Sequence, residues 1–291
     1  IFFPFYMIDI AVLMTCHNRK QKTIECLQAL FNQSHIENVK SNVFLVDDGS
    51  TDGTKQAINE LFPNVTVIEG TGNLFWARGT SLAWQEALKS KEKFDYYLWL
   101  NDDTYLINTA IEELLKTQRN ATEIINGSVC DPVTKRRAYG GTKFTSKYLR
   151  TFRYKVIDVN GEPQEIDTIN GNVLLVPHSV YIKIGAIDNF FEHAYADLEY
   201  SLRARRNGIT ILLTAKHVAE CERKTLDYES YLKLSVFKKI SNVFARKEKP
   251  PRSWFRICYK YGGVLWPVHF FIGYIKSIIK ILIEHNYFGK N

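Results

Sequence analysis

The chain has 291 residues, of which 45% are hydrophobic and 24% charged, so its composition is that of a globular protein with one large domain or one domain and an extension. Its five cysteines are odd in number and form no CxxC pair, which argues against a disulfide framework or a zinc cage and favours a reducing cytosol. The net charge of +7 is uneven: residues 232–291 hold 12 Lys+Arg and 2 Asp+Glu, and such a basic, apolar tail favours a membrane leaflet over nucleic acid.

The first half of the chain alternates strand-like and helix-like segments. Residues 1–6 lack the basic region and cleavage site of a signal peptide, and Met7 is the expected natural start. Strands are predicted at residues 8–15, 42–48, 64–70 and 95–101, and helices at 20–31, 54–61, 77–88 and 107–118. This alternation predicts right-handed βαβ units, and the continuous apolar strands predict a parallel sheet that is covered on both faces.

The pattern changes after residue 125, where the segments become shorter and less regular. Strands are predicted at residues 124–130, 149–159, 172–177 and 209–214, and a helix at 197–208. We therefore expect an α/β fold with a mixed, mostly parallel central sheet flanked by helices, which forms a catalytic domain over residues 1–225.

The C-terminal extension, residues 226–291, is predicted to be helical and is interrupted by a Pro-Pro pair at 250–251, because the residue before a proline disfavours the α conformation. Residues 255–283 are apolar and aromatic with sparse lysines, and the longest uncharged run, 261–275, is short for a bilayer span. This segment is typical of an interfacial helix on anionic lipid. Packing on the body of the protein or in a homodimer interface is the alternative.

Three polar clusters follow predicted strands, at residues 15–19, 47–54 and 101–103. Ligands of open α/β sheets bind outside the carboxyl ends of the strands, which is where these clusters converge. Turn formation alone accounts for a single cluster such as Asp48 with Gly49. Three clusters at one edge indicate a binding site.

Asp102 and Asp103 are adjacent carboxylates at the end of an apolar, aromatic strand. Two such groups repel each other and are unfavourable to bury unpaired. A Mg²⁺ or Mn²⁺ ion would offset both charges and is commonly shared with substrate phosphates. The alternatives are that both side chains are solvated or that one caps the helix expected to start near Ile107.

A second acidic pair, Asp197 and Glu199, lies at the start of a predicted helix. Asp197 either caps this helix, whose dipole favours an anion there, or acts as a base that faces the metal site. Arg203 and Arg206 follow one and two turns later, and they either pair with Glu199 or face phosphate.

Residues 70–79 read GTGNLFWARG, a loop with three glycines that leads into a helix. Glycines allow close approach of the backbone and a helix N-terminus attracts anions, so the loop is a candidate anion site. It does not match the P-loop, and no dinucleotide-binding fingerprint follows the first strand, which disfavours a nicotinamide dehydrogenase.

Five segments of the chain resemble glycosyltransferase family 2, whose members have the GT-A fold of nucleotide-diphospho-sugar transferases. In chain order they are AVLMTCHNRKQKTIECLQAL, VFLVDDGSTDGT, GNLFWARG, WLNDDT and ADLEYSLRARRNG. The resemblance spans residues 8–220, and VDDGSTDGT is its most specific part. It implies an inverting enzyme that requires a divalent cation, similar to rhamnosyltransferases or related hexosyltransferases of bacterial surface-polysaccharide synthesis.

The resemblance also implies roles for individual residues. Asp103 matches the acid that binds Mn²⁺ or Mg²⁺, and Asp197 matches the catalytic base. Other residues of the matching motifs are expected to bind substrate: Thr15, His17 and Asp48 at the nucleotide base, Arg78 near the diphosphate, and Arg19, Gly72, Asn73, Trp76, Asn101, Asp102 and Glu199 elsewhere in the site.

Two positions depart from the family pattern. Asn101 replaces the first acid of the metal-binding DxD motif, and Ala196 precedes Asp197 where a glutamate is usual. Many relatives also place a histidine on the metal after the following strand, and either His217 or Cys221 corresponds to it.

The implied reaction is attack of an acceptor hydroxyl on the anomeric carbon of a nucleotide-diphosphate sugar, with inversion because no second nucleophile is apparent. The expected acceptor is a saccharide or a lipid-linked saccharide, at the cytoplasmic face of the plasma membrane. One alternative is a nucleotidyltransferase, which would need a glycine-rich loop where TCHNRKQK stands. The other is a non-catalytic sugar- or lipid-binding module, which Asn101 and Ala196 would permit.

Overall fold

The computed structural model describes residues 7–34, 38–145, 154–222, 231 and 233–288. The strands are β1 (Ile8–Cys16), β2 (Val39–Asp47), β3 (Thr66–Glu69), β4 (Tyr96–Leu100), β5 (Tyr105–Leu106), β6 (Ile124–Cys130), β7 (Arg137–Tyr139), β8 (Thr142–Phe144), β9 (Tyr154–Val156), β10 (Gln164–Ile166), β11 (Val173–Pro177) and β12 (Ile211–Glu220).

The helices alternate with the strands in the first half and dominate the C-terminal end. They are α1 (Lys20–Phe31), α2 (Thr54–Leu61), α3 (Phe75–Lys89), α4 (Ala110–Thr117), α5 (His178–Ile184), α6 (Ala196–Arg206), α7 (Val236–Val243), α8 (Pro251–Tyr261) and α9 (Trp266–Phe288), with a 3₁₀ turn at Gly263–Leu265 before α9.

One mixed sheet forms the centre of the molecule, with the strand order β10-β12-β6-β11-β4-β1-β2-β3. The strands β4, β1, β2 and β3 are parallel, as the βαβ alternation predicts. β11 runs antiparallel between β4 and β6, and β12 is parallel to β6. The predicted α/β fold with a mixed central sheet is confirmed.

Both faces of the sheet are covered, and β1 shows how. Ile10, Val12 and Met14 alternate with Ala11 and Leu13, and all five are fully buried. The first three pack in a layer with α1 and α4, and the other two pack in a layer with α3 and α6. This explains why the strand reads as a continuous apolar run rather than an alternating one.

Several predicted boundaries differ from the structure. The helix predicted at 107–118 begins at Ala110, because β5 first pairs with the end of β12. The predicted strand at 149–159 lies partly outside the described residues, and its described part, β9, forms a hairpin with β8. The strand predicted at 209–214 continues to Glu220.

The C-terminal helices belong to the layer that contains α3 and α6. Trp254 and Ile257 of α8 and Tyr274 of α9 are buried in that layer. Tyr195, which precedes α6, lies against Trp254 with ring centroids 5.4 Å apart. The boundary predicted at 225/226 falls outside the described residues, and the helices beyond it share a core with the sheet.

Candidate active site

The carboxyl ends of β1, β2 and β4 meet at one edge of the sheet. Cys16 at the end of β1 is in register with Asp47 at the end of β2, and β1 is also parallel to β4. The three polar clusters that follow these strands therefore converge, as the parallel arrangement requires.

Asp48 organises the glycine-rich loop that precedes α3. Its carboxylate accepts the backbone N–H groups of Gly72 at 2.7 Å and of Leu74 and Phe75 at 2.9 Å, and the residue is 2% exposed. A side chain at Gly70 would collide with this carboxylate, since its Cβ would lie 2.7 Å from Asp48 Oδ1. The Asp48 side chain thus holds the loop, and its predicted contact with a nucleotide base stays a prediction.

His17 and Thr15 lie beside this loop. The Nδ1–H of the exposed His17 donates to the backbone oxygen of Asp48 at 2.6 Å, because a carbonyl can only accept. Thr15 is half-buried against α3, where a Cβ at Gly79 would lie 2.4 Å from Thr15 Cγ2. A glycine at position 79 lets α3 approach β1 this closely. Because the loop leads directly into α3, the loop and the end of β1 lie side by side.

Residues 101–103, the NDD turn, follow β4. Arg19 Nη1 donates to Asp102 Oδ1 at 2.7 Å and to Asp103 Oδ2 at 2.9 Å. The side chains of Asp102 and Asp103 are 7% and 15% exposed, and that of Arg19 is 32% exposed. A guanidinium therefore offsets the repulsion between the adjacent carboxylates.

Asn101, the first residue of the turn, is fixed by its neighbour strand. Its N–H donates to the backbone oxygen of Asn172, and its Nδ2 donates to Asn172 Oδ1, both at 3.1 Å. Its own Oδ1 is buried and has no hydrogen-bond partner among the described residues. Such an atom is a candidate ligand-facing acceptor, because buried polar atoms in native proteins normally find a partner.

The oxygen atoms of this turn fit a hard divalent cation only as a partial ligand set. Within the described part of the chain, no three His, Cys, Asp or Glu side chains form a cluster that could hold a metal. Asp103 and Asn101 Oδ1 would supply oxygen ligands, and Mg²⁺-type sites often use one or two carboxylates with the substrate's phosphates. The residues fit an ion that would be completed by a bound diphosphate, and Arg19 contacts the same carboxylates.

The strand register separates the two candidates for a further metal contact. His217 lies inside β12, where its Nδ1 is 3.0 Å from Ser128 Oγ, and burial lowers its pKa. Cys221 directly follows Glu220, which pairs with Tyr105 two residues beyond Asp103. Cys221 is therefore the candidate next to the NDD turn.

Asp197 lies in the first turn of α6, behind Tyr195, which has a positive φ of 73°. Burial raises the pKa of the Asp197 carboxyl to about 6, although backbone hydrogen bonds from Leu198 and Gly171 act in the opposite direction. The Leu198 N–H lies 2.8 Å from Asp197 Oδ1. A carboxylate with this pKa, at the positive end of a helix, suits proton abstraction near neutral pH.

A polar turn at residues 170–172 connects Asp197 with the NDD turn. Gly171 hydrogen-bonds to Asp197 through its backbone, and the adjacent Asn172 holds Asn101. Trp76 packs on the same turn, since a Cβ at Gly171 would lie 2.3 Å from its ring. The structure thus brings Asp197, Trp76 and the NDD turn to one place.

Sequence reasoning missed the 170–172 turn. Asn126 holds it from β6, with Nδ2 3.0 Å from the backbone oxygen of Asn170 and Oδ1 3.2 Å from the Asn170 N–H. The available signal was the sequence Asn-Gly-Asn immediately before a predicted strand, which reads only as a turn.

Glu199 requires a correction, because it was predicted to bind substrate. It is 1% exposed, and its Oε2 accepts Arg203 Nη2 at 2.9 Å while its Oε1 accepts Lys260 Nζ at 2.5 Å and the Tyr261 hydroxyl at 2.7 Å. Two residues along a helix correspond to about 200°, so Glu199 faces away from Asp197. Its role is to anchor α8 on α6.

The arginines that were predicted near phosphate also contact protein groups. Arg203 pairs with Glu199, whereas Arg206 lies over the Tyr261 ring at 5.0 Å. Arg78, predicted near the diphosphate, donates to Glu192 Oε1 and to the backbone oxygen of Asn189, both at 3.1 Å. Its diphosphate contact stays a prediction, as do the contacts of Gly72 and of the exposed Asn73.

The mixed sheet with a polar site at its carboxyl edge is the architecture expected of the GT-A fold of nucleotide-diphospho-sugar transferases. A family model for Glycosyl transferase family 2 matches residues 11–175, more than half of the chain. The chain therefore belongs to glycosyl transferase family 2 and is a glycosyltransferase. A search of proteins with curated descriptions returns no match.

Three solved structures share the fold. GalNAc-T7, solved with UDP, GalNAc and Mn²⁺, superposes with a TM-score of 0.59 at 12% identity, covering 76% of this chain but only 44% of the GalNAc-T7 chain. The mannosyltransferase PcManGT from Pyrobaculum calidifontis, solved with GDP-Man and Mn²⁺, gives 0.55 at 15% identity, covering 98% of this chain and 76% of the other. S. aureus TarS 1-349, solved with UDP-GlcNAc, gives 0.56 at 13% identity, covering 97% and 73%. These likenesses establish the fold.

Proposed function

We propose that this glycosyltransferase moves a sugar from a nucleotide-diphosphate donor to a hydroxyl of a saccharide or lipid-linked saccharide, with inversion. The observation that carries the proposal is the 170–172 turn, which contacts both the NDD turn and Asp197. A donor-binding group and a base beside the same three residues are what a single displacement requires.

In the proposed reaction, Asp197 accepts the proton of the acceptor hydroxyl as that oxygen bonds to the anomeric carbon. The bond from that carbon to the donor's bridging oxygen breaks, and the nucleoside diphosphate leaves with the electron pair. With a pKa of about 6, Asp197 is mostly ionised at neutral pH and is ready to act as a base. One displacement with one base predicts an inverted product.

A divalent cation held by Asp103 would supply charge stabilisation for the leaving diphosphate. Residues of this chain would position the donor and the base. Asp48 fixes the loop before α3, the 170–172 turn positions Asp197, and the half-buried Trp76 offers a ring beside both. Trp76 suits a sugar face, since aromatic rings present an apolar surface with a defined geometry.

The proposal is tested by product analysis. The protein is screened with UDP-, GDP- and dTDP-linked hexoses for Mn²⁺-dependent thermal stabilisation, and the best donor is then supplied with saccharide and lipid-linked acceptors. We expect release of nucleoside diphosphate and a product whose anomeric configuration, read by NMR, is opposite to that of the donor. A retained configuration would contradict the single-displacement mechanism.

The same assay separates the two alternative functions. A nucleotidyltransferase releases pyrophosphate rather than nucleoside diphosphate, and a binding module gives stabilisation without release of either. The β1–α1 loop favours transfer, because it carries Arg19 and the exposed His17 where a glycine-rich phosphate loop would be needed.

The C-terminal helix α9 supports peripheral contact with the cytoplasmic face of an anionic membrane. Its exposed apolar residues lie at helical spacing and, with Val264 and Leu265 of the preceding 3₁₀ turn, form a surface that we name the α9 stripe: Val264, Leu265, Val268, Phe271, Ile275, Ile279, Leu282 and Ile283. Lys276 and Lys280 are exposed beside it, in a region with 12 basic and 2 acidic residues. A stripe edged by lysines is complementary to anionic lipid.

Residues 263–285 are long and apolar enough to cross a membrane by length and composition, with a mean hydropathy of 1.4. The packing of α9 favours a helix that lies on the surface. Trp254 Nε1 donates to the backbone oxygen of Phe270 at 3.1 Å, and a Cβ at Gly273 would lie 2.9 Å from Trp254. One side of α9 is thus covered by protein, as expected for an interfacial helix.

Flotation with vesicles of phosphatidylglycerol and phosphatidylcholine tests the membrane contact. We expect Phe271→Glu to weaken binding by about tenfold or more, since it removes one large apolar group from the lipid. Val133→Glu is the matched control, because Val133 is 86% exposed on a turn after β6. Loss of a dimer without loss of vesicle binding would instead assign the α9 stripe to a second copy of the chain.

We also expect a role in bacterial surface-polysaccharide assembly with a rhamnosyl or related hexosyl donor. This expectation is supported by the proposed membrane contact, because a lipid-linked acceptor would be held in that membrane.

A further inference from the structure

Arg19 occupies the position where a cation is needed at the NDD turn. A single nitrogen, Nη1, lies 2.7 Å from Asp102 Oδ1 and 2.9 Å from Asp103 Oδ2, so it bridges the two carboxylates. Both acids are mostly buried, which strengthens their attraction to the guanidinium. A divalent cation at Asp103 would have to share or take over this contact.

The backbone beneath Arg19 is fixed, whereas its side chain retains donors. Arg19 immediately precedes α1, and its carbonyl accepts the N–H of Thr23 at 2.9 Å and the Thr23 hydroxyl at 3.0 Å. Among the described residues, its Nε and Nη2 groups donate no hydrogen bond. The guanidinium fork therefore keeps three N–H donors with which it can bind the oxygens of a diphosphate.

We propose that Arg19 competes with the divalent cation for Asp103, and that the donor's diphosphate relieves this competition by giving the guanidinium a second anionic partner. Free metal then binds weakly, and metal and donor favour each other's binding, because linkage between two ligands is reciprocal. This inference rests on the proposed function for the identity of the donor, but its first test uses the metal alone.

The test is titration with Mn²⁺ in the absence of nucleotide, followed by electron paramagnetic resonance of the free ion. We expect Arg19→Met to bind Mn²⁺ about tenfold more tightly than the wild type, since it removes a competing cation at a distance of about 3 Å. Arg19→Lys keeps the charge without the fork, and we expect an affinity between the two.

Two controls locate the effect. Lys20→Met removes the same charge from the next residue, which is exposed, and we expect it to change Mn²⁺ affinity by less than about twofold because exposed charges are screened. Asp103→Asn in the Arg19→Met background must abolish the gained affinity. Unchanged or weaker Mn²⁺ binding in Arg19→Met, or a gain that survives Asp103→Asn, would overturn the inference.

Thermal unfolding gives a second readout. Without metal, Arg19→Met removes the guanidinium that bridges two buried carboxylates, so we expect a lower Tm than in the wild type. Saturating Mn²⁺ should raise the Tm of Arg19→Met more than that of the wild type. An arginine with a merely structural role would lower the Tm in both conditions alike, which would also contradict the competition.

Failure of the two proposals can be told apart. If Arg19→Met gains Mn²⁺ affinity but the wild-type enzyme turns over no nucleotide sugar, the competition is supported and the transferase reaction is contradicted. If sugar transfer proceeds while Mn²⁺ binding is insensitive to Arg19, the reaction stands and the competition falls.

Discussion

The NDD turn and the start of α6 each carry two carboxylates within three residues, yet the protein treats the two pairs differently. At the NDD turn, one guanidinium bridges Asp102 and Asp103. At α6, Glu199 accepts hydrogen bonds from Arg203, Lys260 and Tyr261, whereas the Asp197 carboxylate, among the described residues, accepts them from backbone N–H groups only and has a raised pKa. This difference agrees with the roles proposed for the acids, in which Glu199 anchors a helix and Asp197 accepts a proton.

The largest effect should follow from removing the uncompensated acid. Asp197→Asn keeps the shape of the side chain but cannot accept a proton, so we expect the rate of sugar transfer to fall by about a thousandfold or more. The measurement is the initial rate of nucleoside diphosphate release with the best donor and acceptor. Asp188→Asn, in the loop before α6, is the matched control, and an equal loss in both variants would remove Asp197 from the chemistry.

Removal of Glu199, the compensated acid of the same helix, should lower the stability of the fold rather than the rate of sugar transfer. Glu199→Ala leaves Arg203 and Lys260 without their buried carboxylate, so we expect the free energy of unfolding to fall by about 3 kcal/mol. Urea unfolding measures this. Glu222→Ala is the control, because its pair with Lys22 is largely exposed and should contribute less than about 1 kcal/mol. A Glu199→Ala variant that is stable but inactive would instead support the prediction that Glu199 binds substrate.

The raised pKa of Asp197 also predicts a gain in stability on its removal. Because the folded pKa is about 6 and the ordinary value is 3.8, the burial of Asp197 lowers the stability of the folded state increasingly from pH 4 to pH 6 and by its full amount above pH 6. We expect Asp197→Asn to raise the free energy of unfolding at pH 8 by up to about 3 kcal/mol. The gain should disappear as the pH falls through 6 towards 4, and a gain independent of pH would contradict the assignment.

The smallest effect concerns the wild-type enzyme as the pH is lowered. Protonation of Asp197 removes the base, so we expect the transfer rate to fall about tenfold per pH unit below pH 6. The rate is measured at saturating donor and acceptor, with circular dichroism at each pH as the control for folding. A rate that stays constant down to pH 5 would place the proton acceptor elsewhere.

The parallel half of the fold could be predicted from sequence because its information is local. Continuous apolar runs, the intervening helical segments and the polar residues after each strand all lie within short windows. The convergence of the three polar clusters follows from parallel strand direction alone, and the structure has it.

The partners of the polar side chains could not be predicted, because they are distant along the chain. Arg19 reaches acids 83 and 84 residues later, and Glu199 is bound by residues 61 and 62 positions later. No periodicity marks such pairs. Asp48 shows the same limit, since its motif places it at the sheet edge but does not reveal that all three described hydrogen bonds of its carboxylate come from the loop before α3 and the first residue of α3.

The shared core of α6 and α8 limits how the proposed membrane contact of α9 can be studied. Deleting the chain beyond residue 225 would remove the ring contact of Trp254 with Tyr195 and the ion pair of Lys260 with Glu199. The helix that bears Asp197 would then lose the residues that pack on it. A shortened enzyme that proved inactive would therefore say nothing about lipid. Single substitutions on the outward side of α9 leave those contacts in place, and they are the means to separate attachment to a bilayer from turnover.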